Sequence, residues 1–199
     1  MEINESELTF TFASGTQAIK FDDTNFYRHK YNKQPEGKGV DIIASNSECL
    51  QLIEIKNCTD HESENLWRTS VNNSKANSAP TNSSGEPRDS LDIEVAKKVA
   101  STMACLYGAW TKHEKMGSAN ELMSLGAELN SKKIPNDQKP IVVILFLEGN
   151  FEITGSKTRN KKMIMQRLQS SIRDKLVWLN CKVSVVDSAT YQKRYFEVS

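Results

Sequence analysis

The chain has 199 residues, of which 38% are hydrophobic and 26% charged, and its formal net charge is +1. This composition is typical of a globular protein that buries a core without disulfide bonds, and it excludes fibrous, collagen-like and wholly disordered classes. No apolar run approaches the roughly 20 residues of a transmembrane helix, and the acidic N-terminus does not resemble a secretory signal. We therefore expect one cytoplasmic domain over residues 1–199, with no membrane contact.

The first predicted elements are two short strands, Leu8–Phe12 and Ala18–Phe21, paired with each other through a turn. A short helix capped by Thr24 follows them. Two apolar runs, residues 40–44 and 50–55, then predict a hairpin with few polar interruptions. Strands of this kind are covered on both faces, so we place the hairpin inside a sheet.

The next segment, residues 60–89, is rich in Asn, Ser, Thr and Pro and predicts a polar, flexible loop. Apolar residues at steps of three or four then predict a helix that starts near residue 90, and its apolar stripe ends at Trp110. A shorter helix is predicted over residues 120–129. We expect the whole stripe up to Trp110 to be core.

The last third of the chain predicts a strand, a helix and a strand over residues 141–147, 161–179 and 183–186. The strand at 141–147 is purely apolar and belongs in the middle of a sheet. The whole order of elements, hairpin, helix, strand, helix and strand, predicts an α/β fold with a mixed sheet flanked by helices.

Three charged residues stand out on the predicted hairpin. If its turn is centred between residues 47 and 48, Asp41 and Glu54 are cross-strand partners. Lys56 projects from the same face as Glu54, because side chains alternate along a strand, while Ile53 and Ile55 pack on the other face. Ionised groups on a covered strand need compensation, and a Mg²⁺ ion held by carboxylates, waters and a substrate phosphate would supply it.

Asp41, followed after twelve residues by Glu54-Ile55-Lys56, resembles the motif of the PD-(D/E)XK nuclease superfamily. The resemblance implies a restriction-endonuclease-like fold, a three-layer α/β/α arrangement around a mixed central sheet. It also implies a metal-dependent nuclease that hydrolyses phosphodiester bonds, with Mg²⁺ or Mn²⁺ as cofactor. Asp41 and Glu54 would bind the metal and Lys56 would assist the attacking water. Many members add an acid before the hairpin, for which we favour Asp22.

A basic segment follows the last predicted central strand. Residues 131–199 carry a net charge of +7 and the preceding residues −6. Such a segment is typical either of a solvated helix face or of a surface that contacts phosphates, and DNA is favoured over RNA as the nucleic acid. The candidate phosphate contacts are Lys157, Arg159, Lys161, Lys162 and Arg167.

A second interpretation stays open beside the nuclease. Folds of this class also serve as non-catalytic proteins that bind another protein, so an immunity or antitoxin-like factor is the alternative function. The intact Asp41, Glu54 and Lys56 favour the enzyme, whereas the modest net charge fits a protein partner slightly better. A homodimer is compatible with both interpretations.

Overall fold

The computed structural model describes residues 1–35, 37–73, 88–112, 120–129, 141–151 and 160–199. Three short 3₁₀ turns, Phe21–Asp23, Tyr31–Lys33 and Leu66–Thr69, accompany the helices and strands. The helices and strands, in chain order, are β1 (Glu2–Glu5), β2 (Leu8–Thr11), β3 (Gln17–Lys20), α1 (Asn25–His29), β4 (Ile42–Ser45), β5 (Leu50–Asn57), α2 (Glu62–Asn65), α3 (Leu91–Lys112), α4 (Asn120–Leu129), β6 (Ile141–Glu148), α5 (Lys161–Lys175), β7 (Cys181–Val186) and β8 (Glu197–Val198).

The main sheet has five strands in the order β3-β4-β5-β6-β7. Strands β3, β4 and β5 are antiparallel neighbours, whereas β5, β6 and β7 run parallel. The hairpin β4–β5 and strand β6 therefore have a hydrogen-bonded neighbour on each side, and nearly all their residues are buried. This confirms the mixed sheet and the interior position that their unbroken apolar runs predict.

The register of the hairpin is the predicted one. Ile42 lies opposite Ile53, and Ser45 opposite Leu50, so the turn is centred between residues 47 and 48. The ladder begins at Ile42, and the Asp41 N–H donates to the carbonyl of Ile53 at 3.1 Å. Asp41 therefore lies at the end of the ladder, and its direct pairing with Glu54 stays a prediction.

The predicted pairing of the first two strands is wrong. Strand β2 pairs with β1 and β8 in a separate three-stranded sheet, whereas β3 joins the main sheet beside β4. The side chains of Phe10 and Phe12 explain the separation, because both are buried against the second face of the main sheet. Burying two aromatic rings there stabilises the chain more than a local hairpin would.

The described layers differ from the α/β/α arrangement that the resemblance implies. Helices α3, α4 and α5 bury their apolar residues in a core on one face of the main sheet, together with Leu52 and Leu145. The other face, with Ile53 and Phe146, is covered by the three-stranded sheet and the C-terminal segment. Both parallel connections progress in one direction along the sheet, and right-handed crossovers then place α3 and α5 on the same face. The general α/β class is confirmed.

Three helix predictions need correction. Within the predicted loop, residues 62–69 form helical turns and Arg68 is buried, while residues 74–87 lie outside the described part. Trp110 is 36% exposed rather than core, because Ala109 takes the buried position beside it. The last helix ends at Lys175, earlier than predicted. In the described ranges, the search for a helix long and apolar enough to cross a bilayer finds none.

Helices α3 and α4 approach each other closely at Gly126. A Cβ atom built on Gly126 would lie 2.7 Å from the carbonyl oxygen of Leu106, which belongs to the backbone and cannot rotate away. We expect Gly126→Ala to lower the free energy of unfolding by about 1–3 kcal/mol, the usual cost of overpacking. Urea denaturation measures the change.

Gly108 on α3 provides the matched control. A Cβ atom at this position meets nothing within 4 Å. Gly108→Ala should raise stability by about 0.5–1 kcal/mol, because alanine restricts the unfolded chain and favours the helix. If the two substitutions changed stability equally, the close approach of α3 and α4 would not be the cause.

Candidate functional site

Asp41 and Glu54 meet where the hairpin faces the helices. Asp41 directly precedes β4, and its Oδ2 accepts a hydrogen bond of 2.7 Å from the N–H of Ile55. Glu54 shares the face of Leu52, opposite to that of Ile53, so it points into the core that α3 covers. Its side chain is fully buried. The strand alternation thus places a carboxylate beneath a helix.

Lys56 reaches back along β5 to the same point. Its Nζ lies 2.6 Å from Oε1 of Glu54 and 3.3 Å from Oε1 of Glu94 on α3. The Lys56 side chain is 19% exposed, so it lies at the border between the core and solvent. The structure therefore brings the three residues of the predicted motif together around Glu54.

Three further charged residues complete the group. Lys98 on α3 places its Nζ 2.6 Å from Oε1 of Glu54 and 3.5 Å from Oδ1 of Asp41. Glu94 lies one helical turn earlier, and its Oε2 accepts a hydrogen bond from the buried guanidinium of Arg68. We call the six residues the acid–base cluster; its members are Asp41, Glu54, Lys56, Arg68, Glu94 and Lys98.

Sequence reasoning missed Arg68, Glu94 and Lys98. A signal existed for the two helical residues, because positions 94 and 98 are one turn apart and each precedes a buried valine, Val95 or Val99, of the apolar stripe. Charged residues beside a core stripe lie at its edge, where they reach a neighbouring strand. Arg68 carried no such signal, since the polar segment around it predicts a loop.

The cluster perturbs its own protonation. Burial raises the pKa of Glu54, against the attraction of Lys56 and Lys98. For Lys56, burial acts to lower the pKa, but the charges of Glu54, Glu94 and Asp41 outweigh it and the pKa is raised. Lys56 is therefore an ammonium at neutral pH.

One oxygen of the cluster is left without a partner. Glu54 Oε1 accepts from both lysines, whereas Oε2 is buried and has no hydrogen-bond partner in the described part of the chain. An unsatisfied buried carboxylate oxygen costs free energy, and its presence in a native fold calls for an explanation. A hard cation is the kind of ligand that such an oxygen would bind.

Glu94 contributes to stability in a pH-dependent way. Burial acts to raise its pKa, but Lys56, Arg68 and Lys98 outweigh it and lower the pKa to about 2, from an ordinary value of 4.5. A carboxyl whose folded pKa is lowered stabilises the fold above its unfolded pKa, and this stability is lost as the pH falls toward 2. The difference corresponds to about 3 kcal/mol at neutral pH.

We therefore expect Glu94→Gln to be less stable at pH 7 and to lose less stability than the wild type between pH 4.5 and pH 2. Urea midpoints measured across this range test the expectation. Glu64→Gln is the control, since the Glu64 side chain is 76% exposed. If the stability of the wild type and of Glu94→Gln fell equally between pH 4.5 and pH 2, the lowered pKa of Glu94 would be contradicted.

Asp22, the predicted third metal ligand, lies on the exposed 3₁₀ turn before the hairpin. Partial desolvation raises its pKa against the pull of Lys20, and the charges of Asp23, Glu5 and Asp41 add to the rise. A search of the described residues finds no group of three or more His, Cys, Asp or Glu placed to hold a metal. Asp22 as a ligand stays a prediction.

The five candidate phosphate contacts divide into three groups. Lys157 and Arg159 lie outside the described residues. Lys161 is bound to Asp187 at 2.6 Å. Lys162 and Arg167 are exposed on α5, which starts at the carboxyl-terminal edge of β6 and so on the same edge of the sheet as Glu54 and Lys56. Their role in binding phosphates stays a prediction.

A comparison with models of protein families finds a match. The model of a family of unknown function, DUF6661, matches residues 24–199. The chain belongs to the DUF6661 family. The matched range contains the whole acid–base cluster and begins after Asp22. The search of curated proteins and the search of solved structures return no match for this DUF6661 protein.

Proposed function

We propose that this protein is a Mg²⁺-dependent nuclease with a restriction-endonuclease-like fold, and that Asp41, Glu54 and Lys56 form its active site. The observation that carries the proposal is the convergence of these residues on two neighbouring strands, with one oxygen of the buried Glu54 unpartnered among the described residues. A buried ion pair is most favourable when its remaining lone pairs are satisfied, and the free oxygen of Glu54 therefore supports a further ligand at this position.

The donor set fits Mg²⁺. Asp41 Oδ1 and Glu54 Oε2 are hard oxygen donors, and Mg²⁺ is commonly held by one or two carboxylates together with waters and substrate phosphates. Mn²⁺ accepts the same ligands. When bound, the metal would lower the pKa of a water and polarise the phosphate. Asp41 and Glu54 would hold it, with Asp22 as a further candidate ligand.

The chain's own residues would do the remaining work. Lys56 stays protonated between Glu54 and Glu94, so it would stabilise negative charge on the phosphate and orient the attacking water rather than remove its proton. Glu94 on α3 holds this ammonium in position, and Arg68 in turn binds Glu94. Lys162 and Arg167 would attract the nucleic acid backbone, and DNA remains the favoured substrate over RNA.

The fold assignment has support from chain order. The hairpin β4–β5 is followed by α3 and then by the parallel strand β6, the order that the resemblance implies. Within the part of the chain that the structure describes, helices cover one face of the sheet only, which departs from a three-layer α/β/α sandwich. The proposal therefore concerns the hairpin, its charged residues and the parallel strand beside it.

The alternative is a non-catalytic protein that binds another protein, such as an immunity or antitoxin-like factor. One observation favours it: within the described residues, the cluster pairs the carboxylates of Asp41, Glu54 and Glu94 with three basic groups, so it is neutral as built. A neutral ion-pair cluster needs no metal to offset its charge.

The test is cleavage of labelled single- and double-stranded DNA and RNA in Mg²⁺ or Mn²⁺, with EDTA as the control. We expect metal-dependent cleavage by the wild type and loss of cleavage in Lys56→Met. Cutting by Lys56→Met at the wild-type rate would exclude the proposed site. No cutting of any substrate in either metal, together with no Mg²⁺ binding, would favour the alternative.

A further inference from the structure

We propose that Lys98 is a displaceable counter-ion of the metal site. Its ammonium joins Asp41 and Glu54, and a divalent cation would bind there by moving it aside. This inference rests on the proposed function, because it concerns how the same site accepts its metal. It assigns to Lys98 a role different from that of Lys56, although both contact Glu54.

The position of Lys98 sets it apart from Lys56. Its Nζ lies within 3.5 Å of Asp41 and 2.6 Å of Glu54, so one cation is shared by the two carboxylates proposed to bind the metal. Lys56 instead bridges Glu54 and Glu94. Two cations on the same pair of carboxylates would repel each other strongly at this separation. Metal binding would therefore disfavour the observed position of Lys98.

A second partner for Lys98 is already within reach. Oε1 of Glu94, one turn earlier on α3, lies 3.9 Å from the Lys98 Nζ. A lysine side chain has four rotatable bonds, so its ammonium can move toward Glu94 without any change in the helix. Glu94 would then keep the displaced charge paired, which lowers the free energy required for metal entry.

The lysine leaves part of Glu54 unsatisfied. Lys98 and Lys56 both donate to Oε1, while Oε2 has no partner among the described residues. An ammonium at this position therefore compensates the charge of Glu54 but gives its second oxygen no hydrogen-bond partner. A cation that contacts this oxygen would satisfy it, which gives the metal an advantage over the lysine.

Calorimetric titration with Mg²⁺ tests the proposal in wild type, Lys98→Met and Lys98→Gln. Removing the competing charge should tighten Mg²⁺ binding at least about tenfold in both variants. Without metal, both variants should melt at a lower temperature than the wild type, and Mg²⁺ should restore more of the melting temperature than it does for the wild type. Lys97→Met is the matched control, since Lys97 is the neighbouring residue, is 56% exposed and pairs with Asp89.

Unchanged Mg²⁺ affinity in Lys98→Met and Lys98→Gln would overturn the proposal and leave Lys98 as a structural ion-pair partner. The nuclease assignment would survive this result if the wild type cleaves. Conversely, tighter binding that Glu54→Gln abolishes, without cleavage by any variant, would keep the counter-ion and reject the nuclease. Absence of Mg²⁺ binding by the wild type and both Lys98 variants would reject both.

A measurement on the unmodified chain covers the case in which the Lys98 variants fail to fold. With ¹³C-labelled lysine, the Cε resonance of Lys98 should shift when Mg²⁺ is added to the wild type, and the Lys97 resonance should not. In Asp41→Asn the Mg²⁺-dependent shift should be lost. A Lys98 resonance that stays in place while Mg²⁺ binds would overturn the displacement.

Discussion

Asp41→Asn and Glu54→Gln should each lower metal-dependent cleavage by at least about a hundredfold, the scale on which the loss of one well-placed electrostatic group slows an enzyme. Both substitutions remove a negative charge at nearly constant shape. An asparagine at position 41 still accepts from the N–H of Ile55, so the start of β4 stays anchored. A glutamine at position 54 fills the same buried space. The loss is assigned to metal binding in each variant that keeps its fold.

Initial rates on the preferred substrate, measured over a range of Mg²⁺ concentrations, quantify this effect. Far-UV circular dichroism and a melting temperature for each variant show that the fold is kept. Asp23→Asn is the matched control, because Asp23 is exposed and pairs with Arg28 outside the cluster. Cleavage by Asp41→Asn within a few-fold of the wild type would contradict the proposed site.

Asp22→Asn belongs in the same series. If Asp22 is a third ligand, its rate should fall with that of Asp41→Asn, and higher Mg²⁺ should restore part of it. If the rate of Asp22→Asn instead equals that of the control Asp23→Asn, the metal is held by Asp41 and Glu54 alone among the described carboxylates. Comparing these rates therefore tests whether Asp22 binds the metal, which the geometry of the strands does not determine.

Phe146→Ala should lower the free energy of unfolding by about 3–5 kcal/mol, the usual loss for a buried aromatic residue. Phe146 is fully buried on β6, at the face that the three-stranded sheet covers. Its ring lies 5.3 Å from that of Phe10 on β2 and 6.2 Å from that of Phe196. The substitution removes the aromatic contact between the two sheets and leaves a cavity.

Chemical denaturation of Phe146→Ala, Phe10→Ala and the double variant measures both the loss and the coupling. The two rings meet edge to face, so we expect the cycle to give a coupling of about 0.5–1.5 kcal/mol. Tyr107→Ala, at a position 58% exposed, serves as the surface control and should change little. Strictly additive losses for Phe10 and Phe146 would contradict the packing of the two sheets.

The local sequence determined those elements that are stabilised by residues close to them in the chain. The hairpin could be predicted because its two apolar runs are short, adjacent and separated by a polar turn, and this also determined the register that brings Asp41 close to Glu54. The purely apolar strand β6 and the helices α3 and α5 followed from the same kind of pattern. Of the acid–base cluster, the three residues on the hairpin were therefore identifiable in advance.

Tertiary structure decided everything that depends on distant packing. Strand β2 does not pair with β3, because Phe10 is buried on the other face of the main sheet. No local sequence pattern predicts this arrangement. The polar segment after β5 forms helical turns, which the ion pair between Arg68 and Glu94, 26 residues later, stabilises. Lys98 entered the site for the same reason, since only the docking of α3 on the hairpin brings its ammonium to Glu54. Short-range periodicity selects the elements, whereas long-range burial and charge pairing select their partners.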